Sequence, residues 1–391
     1  MKVLHIAQML KGGVGAYLCE ILPPQIVRLG AESIVILVAE DQVPFLPPVP
    51  RETIRTFDTS KRTPWALIKM AIDARRLMMR EKVDIVHLHS TFAGAIVRLA
   101  LLVPPWRRPK LVYCSHGWAF NMRVSSIRRF LYSAMELLLS PLADRILCIS
   151  QFELDAAAKR GLSNRRLRLV YNGVARQVPA SSATIVEFDD DKLNLLFIGR
   201  QDKQKGFPVL AEAMKRLESF PIHLHAIGAP VVKDESVTTD QAPNITQHGW
   251  QSRERIPQFI SASDAIVVPS LWEGFGLAAI EAMRQGKAVC ASAVDALPEV
   301  VLDGVSGRLF PPEDPVALAQ LLSSLDKAEL SRLGANGANI FFDRFTAERM
   351  NEEILGIYFE LLKLASVEMH ERIDVSAPHG QFFNRANRRA D

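Results

Sequence analysis

The chain has 391 residues, of which 47 are Lys or Arg, 43 are Asp or Glu and 48% are hydrophobic. A length near 400 exceeds what one hydrophobic core normally serves, so we expect two domains. The apolar and charged fractions are those of a globular protein and exclude intrinsic disorder, collagen and coiled coil. The net charge of +4 conceals an asymmetry: residues 1–180 hold 26 basic and 13 acidic side chains, and the remainder holds 21 and 30. The halves carry +13 and −9 and are expected to have different partners.

The cysteines and the apolar runs indicate the cellular location of this protein. The widely spaced Cys19, Cys114, Cys148 and Cys290 exclude the common zinc patterns and a disulfide framework. The apolar stretch after Met1 is too short for a signal peptide. No run of about 18 uncharged apolar residues predicts a transmembrane helix. We therefore expect a cytoplasmic protein.

Short apolar runs alternate with amphipathic segments in the first part of the chain. Several runs are rich in Val, Ile and Leu on both faces, as buried parallel strands are. Alternation of this kind predicts a doubly wound α/β sheet. The predicted strands are Val3–Met9, Ser33–Val38, Ile85–His89, Lys110–Ser115 and Arg145–Ser150, and the predicted helices lie near 14–29, 64–81, 91–103, 124–140 and 151–160.

The alternation restarts after a polar, turn-rich linker predicted over 179–192. It indicates two Rossmann-like domains, over 1–178 and 193–345, that face a central cleft. A long helical pattern over 346–368 follows, and the polar stretch 369–391 is predicted to be a flexible tail. The predicted strands of the second domain are 193–199, 222–228, 265–270 and 287–292, and its helices lie near 207–219, 253–262, 276–285 and 315–325.

Two motifs of the first domain lie where ligands bind open α/β sheets, at the carboxyl ends of strands. KGGVGAY (11–17) follows the first strand, and its glycines leave backbone N–H groups open to an anion. Its spacing is not GxGxxG, because Leu18 takes the third glycine position, and a tight turn explains it equally well. SHGW (115–118) places His116 where it can donate to a hydroxyl or steady developing charge. A hydrogen-bonded structural histidine is the favoured alternative from these residues alone.

The second domain opens with a basic loop, GRQDKQKG (199–206). Arg200 and Lys205 lie between glycines just before a helix, near its positive end. Two cations and the N–H groups of a helix make a seat for a diphosphate. A solvated basic loop is the alternative, and we favour the diphosphate seat because both flanking glycines lie at turns.

The strongest candidate segment is PSLWEGFGLAAIEAM (269–283), where a strand ends in a glycine loop. Along a helix eight residues rise about 12 Å, so Glu273 and Glu281 cannot both hold one small group. They can hold two parts of an extended ligand, with the free N–H groups of Gly274, Phe275 and Gly276 between them. Carboxylates that pair with hydroxyls suit a sugar or a ribose.

At this segment the sequence resembles the retaining glycosyltransferases of the GT-B fold, and closely glycosyltransferase family 4. EGFGLAAIE matches the E-x7-E motif of that family, and the resemblance covers nearly the whole chain. It implies the GT-B fold, with two Rossmann-like domains and a C-terminal helix that crosses back to the first domain. The other resembling segments are GGVGAY, DIVHLHS, SHGW, the hinge strand VYNGV (170–174), FIGRQDKQKG, QHGWQSRERIPQFISASDAIVVPS and LPEVVLDGVSGRLFPPEDPVALAQLL.

Carried over residue by residue, the resemblance implies a role for each motif. Arg200 and Lys205 would hold the donor diphosphate, and Glu281 would bind the ribose of the nucleotide. His116 would lie beside the transferred sugar. Gly13 would let the acceptor and the diphosphate approach.

The loop that starts at Glu273 would hold the donor sugar and the diphosphate. Its donor-binding residues would be Glu273, Gly274, Phe275, Gly276 and Leu277. The resemblance further implies retention of the anomeric configuration, no metal and no cofactor, with a nucleotide-diphosphate-sugar as co-substrate. The acceptor would attack from the face of the leaving group, and the cations would stabilise the departing diphosphate. The D-x-D pattern Asp189-Asp190-Asp191 lies in the linker, so we interpret it as a solvated turn.

The basic first domain is the expected acceptor side. Its segments 61–82 and 121–139 mix Arg and Lys with large apolar residues, a pattern that suits an anionic membrane surface. Core-facing helices with a cationic outer face are a nearly equal alternative, and nucleic acid is disfavoured. We predict transfer to a glycan or lipid-linked acceptor in cell-surface polysaccharide synthesis, with peripheral contact to the inner face of the cytoplasmic membrane. The alternatives are a nucleotide-sugar epimerase or hydrolase on this fold and a non-catalytic nucleotide-sugar-binding protein.

Overall fold

Two parallel α/β sheets make up the computed structural model, which describes residues 1–58, 63–102, 108–178, 186–230 and 242–363. The predicted fold class is confirmed, since every strand pair in both sheets is parallel. Part of the predicted linker (179–185), the last residues of the predicted C-terminal helix (364–368) and the predicted tail (369–391) lie outside the described residues. Within the described ranges, no helix combines the length and the apolarity that crossing a bilayer requires.

The first sheet has the strand order β3-β2-β1-β4-β5-β6-β7. Its central strands are buried along their whole length, because helices cover both faces. The strands are β1 Val3–Ala7, β2 Ile34–Ala39, β3 Ile54–Phe57, β4 Ile85–His89, β5 Lys110–Cys114, β6 Arg145–Cys148 and β7 Leu167–Leu169, and the helices are α1 Gly13–Leu29, α2 Pro64–Arg80, α3 Thr91–Ala100, α4 Ser126–Leu139 and α5 Gln151–Lys159.

The second sheet repeats this plan with the order β10-β9-β8-β11-β12-β13. Its strands are β8 Leu193–Ile198, β9 Ile222–Ile227, β10 Ile245–Gly249, β11 Ala265–Val268, β12 Ala288–Ser292 and β13 Gly307–Phe310. The helices are α6 Phe207–Lys215, α7 Ile256–Ala262, α8 Leu277–Arg284, α9 Leu297–Val300, α10 Pro315–Ser324, α11 Lys327–Arg344 and α12 Ala347–Leu362. Both sheets therefore reverse their winding once, between β1 and β4 and between β8 and β11.

The sequence analysis missed four short strands and two helices: β3, β7, β10, β13, α9 and α11. The strands lie at or near sheet edges, where exposed polar side chains interrupt the apolar run, as at Thr56 and Thr246. The predicted hinge strand over 170–174 was wrong in its position. The strand is Leu167–Leu169, and of the following residues only Val174 forms an isolated bridge, to Thr346.

That bridge begins the return of the chain to the first domain. Val174 donates its N–H to the carbonyl of Phe345 (3.1 Å), and Ala347 donates to the carbonyl of Val174 (2.9 Å). Helix α12 then packs against α1 of the first domain. Its buried Tyr358 hydroxyl lies 2.6 Å from Nδ1 of His87 in β4. The predicted crossing of the C-terminal helix is thus confirmed.

Candidate functional site

The predicted motifs lie at the two places where the sheets reverse their winding. In doubly wound sheets these switch points form the crevice that binds ligands. Residues 11–17 follow β1, and residues 199–206 follow β8. Residues 269–276 follow β11, the neighbour of β8, and residues 115–118 follow β5, the neighbour of β4.

The loop after β8 contacts the loop after β11 without side chains between them. Gly206 caps helix α6 with a positive φ of 68°, and a Cβ atom there would lie 1.7 Å from the carbonyl oxygen of Pro269. Leu271 donates its N–H to the carbonyl of Gln204 at 2.9 Å. Only glycine allows so close an approach in this conformation. The contact places the predicted diphosphate seat beside the predicted sugar loop.

Lys205 and Glu273 form the central ion pair of this region. The Lys205 Nζ atom lies 2.5 Å from Oε2 of Glu273, and both side chains are largely buried. The Ser270 hydroxyl donates to the same oxygen at 3.1 Å, and the Glu273 N–H donates to Oδ2 of Asp295 at 2.9 Å. The Glu273 carboxylate is therefore held in place by groups from two loops. Burial raises the pKa of Asp295, a residue that the sequence analysis missed.

Arg200 has its partners within its own loop. Its Nη2 lies 2.6 Å from Oε1 of Gln204 and 3.3 Å from Oδ2 of Asp202. The structure therefore brings Lys205, but not Arg200, into direct contact with Glu273. A ligand phosphate that reaches Arg200 would compete with these two partners for the guanidinium.

Glu281 lies among charges from both domains. Burial raises the pKa of its carboxyl, and the positive charges of Arg253 and Arg284 oppose that rise. Within the described residues its carboxylate accepts no hydrogen bond, so its oxygens are available to a ligand hydroxyl. Arg253 also pairs with Glu20 of α1 in the first domain, and Arg284 donates to the carbonyl of Ala175 at 3.0 Å. Sequence reasoning missed Arg253 because it is far from Glu281 in the chain, and it overlooked Arg284, which lies one helical turn after Glu281 in α8.

The glycine loop after Glu273 faces the first domain. A Cβ atom on Gly274 would lie 3.7 Å from the carbonyl oxygen of His116 and from Cα of Gly117. Phe275 is buried, with its ring 6.2 Å from that of Tyr171. Two predicted motifs, one from each domain, are thus in contact across the cleft.

The remaining residues of this loop start helix α8. Gly276 is its N-cap residue, with a φ of 100°, and Leu277 is the first helical residue. Backbone N–H groups at a helix N-terminus lack intrahelical acceptors, which suits the predicted contact with an anion. Their role in binding the donor stays a prediction.

The ring of His116 points toward His89 in its own domain and away from Gly274 across the cleft. Its Nε2 lies 3.0 Å from Nδ1 of His89, and its Nδ1 lies 3.6 Å from Sγ of Cys114. Burial lowers the pKa of His116 to about 3, so the ring is neutral at physiological pH. Its φ of 55° is unusual for a residue with a side chain. The place of His116 beside a transferred sugar stays a prediction.

Gly13 is the first residue of α1 and is exposed. A Cβ atom on Gly12 or Gly13 would meet nothing within 4 Å, so this turn borders open space, as an approaching ligand needs. At Gly15, by contrast, a Cβ atom would lie 2.2 Å from the carbonyl oxygen of Leu10. The close approach in this motif therefore occurs at Gly15 and leaves Gly13 open.

The acidic run that resembles a D-x-D motif is exposed. Asp189 pairs with Lys192 at 3.1 Å, and the Asp191 N–H donates to Oδ1 of Asp189. Of the described residues, only His5, His87 and His89 have ligand atoms all within 4.8 Å of one another, close enough for a metal ion. They lie in the core of the first domain rather than beside Glu273. The absence of a metal from the reaction stays a prediction.

Comparison with known proteins agrees with this arrangement. The model of Glycosyltransferase Family 4 matches residues 11–178, and the model of Glycosyl transferases group 1 matches residues 192–327. The solved structure of Anabaena HepE in complex with UDP-glucose superimposes with a TM-score of 0.73 at 19% identity, covering 93% of this chain and all of that one. The chain is therefore a glycosyltransferase of the family 4 type with the GT-B fold.

Two curated relatives match over most of their own length. An uncharacterized 41.2 kDa protein in the cps region of Klebsiella pneumoniae is 28% identical over 83% of this chain and 90% of its own length. An Escherichia coli UDP-Gal:alpha-D-GlcNAc-diphosphoundecaprenol alpha-1,3-galactosyltransferase is 24% identical over 75% of this chain and 80% of its own. The similarity thus extends over both domains.

The contact between Gly206 and Pro269 yields a stability prediction. We expect Gly206→Ala to lower the free energy of unfolding by more than about 2 kcal/mol, because the left-handed backbone alone costs about 1–2 kcal/mol and the Cβ atom adds a clash with a backbone oxygen. Gly286→Ala is the matched control, since Gly286 also has a φ of 68° but open space around its Cβ position. Urea unfolding of both variants measures the difference. Equal losses would contradict the proposed contact.

Proposed function

We propose that this glycosyltransferase moves a sugar from a nucleotide-diphosphate-sugar to a glycan or lipid-linked acceptor in polysaccharide assembly, with retention of the anomeric configuration. The names of two similar proteins support the substrate classes. The HepE structure holds UDP-glucose, and the name of the Escherichia coli relative specifies a UDP-sugar and a diphosphoundecaprenol acceptor. The cps region of the Klebsiella relative supports a role in polysaccharide synthesis.

The ion pair between Lys205 and Glu273 is the observation that carries the proposal. It lies at the switch point of the second sheet, beside the N-terminus of α8, and a carboxylate and an ammonium meet there at 2.5 Å. A donor sugar hydroxyl can hydrogen-bond to Glu273 while the diphosphate takes the charge of Lys205. The site thus offers complementary groups to both parts of a sugar diphosphate.

The chemical step would rest on electrostatic stabilisation. The acceptor hydroxyl would attack from the face of the leaving diphosphate, whose oxygen takes the proton, and the C–O bond to the diphosphate breaks as the new glycosidic bond forms. Lys205 and Arg200 would stabilise the negative charge that grows on the departing diphosphate. In this proposal these side chains supply the charge that a divalent cation would otherwise provide.

The role of Glu281 is tested by a substitution that removes its charge but keeps its shape. We expect Glu281→Gln to bind the cognate donor about 10- to 100-fold more weakly, because a hydrogen bond to a charged group contributes about 1.5–3 kcal/mol. A thermal-shift panel of nucleotide-sugars identifies the donor, and calorimetry measures its affinity. Glu352→Gln, at an exposed position of α12, is the control. Unchanged donor affinity in Glu281→Gln would contradict the assigned site.

Turnover assays with and without an acceptor separate the other functions that the fold allows. An epimerase or hydrolase turns over the nucleotide-sugar without an acceptor, whereas the proposed transferase consumes it at a significant rate only when an acceptor is present. A non-catalytic binding protein would bind the donor and transfer nothing. Product analysis by NMR of the anomeric proton tests retention.

The exposed apolar side chains of helix α4 support the proposal that the acceptor is membrane-associated. Four apolar side chains at helical spacing form a stripe that points to solvent: Ile127 is 74% exposed, Phe130 70%, Leu131 58% and Leu138 76%. The exposed Arg128 lies beside this stripe. A helix of an ordinary globular surface would turn such a stripe to the core. Helix α4 buries Glu136 and Leu139 against the core, but its outer face carries this apolar stripe and not cations alone, which supports the proposed membrane contact.

Helix α2 combines a packed face with exposed apolar groups. Met70 and Ala74 are buried against the sheet, whereas Trp65 and Ile68 are 73% and 51% exposed. Helix α3 contacts both α2 and α4, so the three helices cover the same face of the sheet. Apolar side chains beside basic ones suit the interface of an anionic bilayer.

Flotation with liposomes tests the membrane contact. We expect the protein to float with vesicles that contain phosphatidylglycerol, less so at high salt, and we expect Phe130→Asp to weaken binding at least about 10-fold, because burial of a Phe side chain contributes about 1.5–3 kcal/mol. Val27→Asp is the control, since Val27 is 88% exposed on α1, away from this stripe. Flotation that depends on neither anionic lipid nor Phe130 would refute the membrane contact.

A further inference from the structure

A row of histidines crosses the core of the first domain and ends at His116. His5 of β1 lies opposite His87 of β4 in the sheet register, and His89 follows two residues later on the same face. His5, His87 and His89 are at most 1% exposed. Helices α1 and α12 cover this face and contribute Gln25 and Tyr358 to the cluster.

Three consecutive hydrogen bonds connect Gln25 to His116. Gln25 Oε1 lies 3.0 Å from Nε2 of His5, and Nδ1 of His5 lies 3.1 Å from Nε2 of His89. Nδ1 of His89 lies 3.0 Å from Nε2 of His116. The last ring nitrogen, Nδ1 of His116, faces the thiol of Cys114 at 3.6 Å. His5, His89 and His116 therefore each use both ring nitrogens.

A residue of helix α12, Asn351, sets which atoms donate and which accept in this row of hydrogen bonds. The Asn351 amide nitrogen lies 2.9 Å from two backbone carbonyl oxygens, those of Glu20 and Ala347, so it donates to both. The Asn351 Oδ1 atom is then the acceptor for the amide nitrogen of Gln25, 3.5 Å away. The remaining Oε1 of Gln25 can only accept, so His5 must donate from Nε2.

The tautomer of one ring determines the tautomer of the next because the rings are neutral. Burial lowers the pKa of His5 to about 4 and that of His116 to about 3, and it lowers the pKa of His89 well below its ordinary value. A neutral imidazole carries a proton on one nitrogen and accepts on the other. If His5 is protonated at Nε2, His89 must donate from Nε2, and His116 must do the same.

We propose that Gln25 is a positioning residue, which sets the tautomer of His116 through His5 and His89 and thereby holds the ring away from the cleft. The inference rests on the proposed function in one respect, since His116 borders the predicted sugar position. Its structural part, the tautomer, does not depend on any activity. Gln25 is itself held by Asn351 of α12, so the helix that returns from the second domain supports the row.

Binding of a metal ion is the alternative role for these histidine side chains. The ligand atoms of His5, His87 and His89 lie within 4.8 Å of one another, and Nε2 of His87 is buried without a hydrogen bond. The hydrogen bond between His5 and His89 already occupies two of these nitrogens, however. The group also contains no carboxylate to balance a dication. The hydrogen-bonded row is therefore the arrangement that the contacts favour.

Nitrogen NMR of the full chain, labelled with ¹⁵N at histidine, measures the tautomers directly. We expect His5, His89 and His116 to carry their proton on Nε2 at pH 7, with signals assigned by single substitutions of each histidine. A His116 protonated at Nδ1 would overturn the proposal. So would a stoichiometric metal in the purified protein, detected by elemental analysis together with metal-shifted signals of His5 and His89. These readouts stand even if no transfer activity is found.

Substitution of Gln25 tests the positioning role. We expect Gln25→Met to change the tautomer signals of His116 and to lower kcat by up to about 100-fold, because a small misplacement of a group beside the reacting atoms can cost that much, with the KM for the donor unchanged. Tyr113→Phe is the matched control: it deletes another buried hydrogen bond of the first domain, the one from the Tyr113 hydroxyl to Glu136 at 2.8 Å. It should leave kcat and the His116 signals unchanged. Identical His116 signals in wild type and Gln25→Met would refute the proposal, and if the variant does not fold, the wild-type tautomers decide.

Discussion

Parallel strand pairing is the constraint on which the rest of this structure depends. Each connection must cross a face of the sheet, so helices bury both faces and every carboxyl end points to the same edge. The winding reverses once in each sheet, between β1 and β4 and between β8 and β11. At those two places the loops separate and leave a crevice. The motifs predicted to bear the chemistry follow these strands or their direct neighbours, where loops and helix N-termini leave backbone N–H groups open to a ligand.

The return of the chain to the first domain, at the bridge between Val174 and Thr346, holds the two crevices next to each other. Backbone hydrogen bonds there place α12 against α1, and charged contacts join the domains nearer the cleft. The carboxylate of Glu299 accepts from the N–H groups of Gln151 and Phe152 at the start of α5. A carboxylate at a helix N-terminus is favourable, so this contact stabilises the juxtaposition of the domains. The loop with Gly274 consequently meets the loop with His116.

For the candidate site, the positions of individual charged side chains matter more than the net charge of either domain. The acidic second domain holds Lys205 against Glu273, and Arg253 lies between Glu281 and Glu20 of the other domain. The basic first domain has a core row of neutral histidines and an outer helix whose apolar stripe faces solvent. The net charges of +13 and −9 therefore describe whole parts of the chain, whereas the candidate site is defined by a few individual ion pairs.

The sequence by itself determined the α/β class, the central strands and the positions of the motifs, because apolar periodicity and glycine spacing are local properties. It missed the short edge strands β3, β7, β10 and β13, whose pattern is interrupted by exposed residues. Only the tertiary structure decided that Asp295 holds the backbone of Glu273 and that Arg253 faces Glu281. It also decided that the stripe of α4 is exposed and that His116 turns to His89. These features depend on contacts between residues far apart in the chain, and no local pattern encodes them.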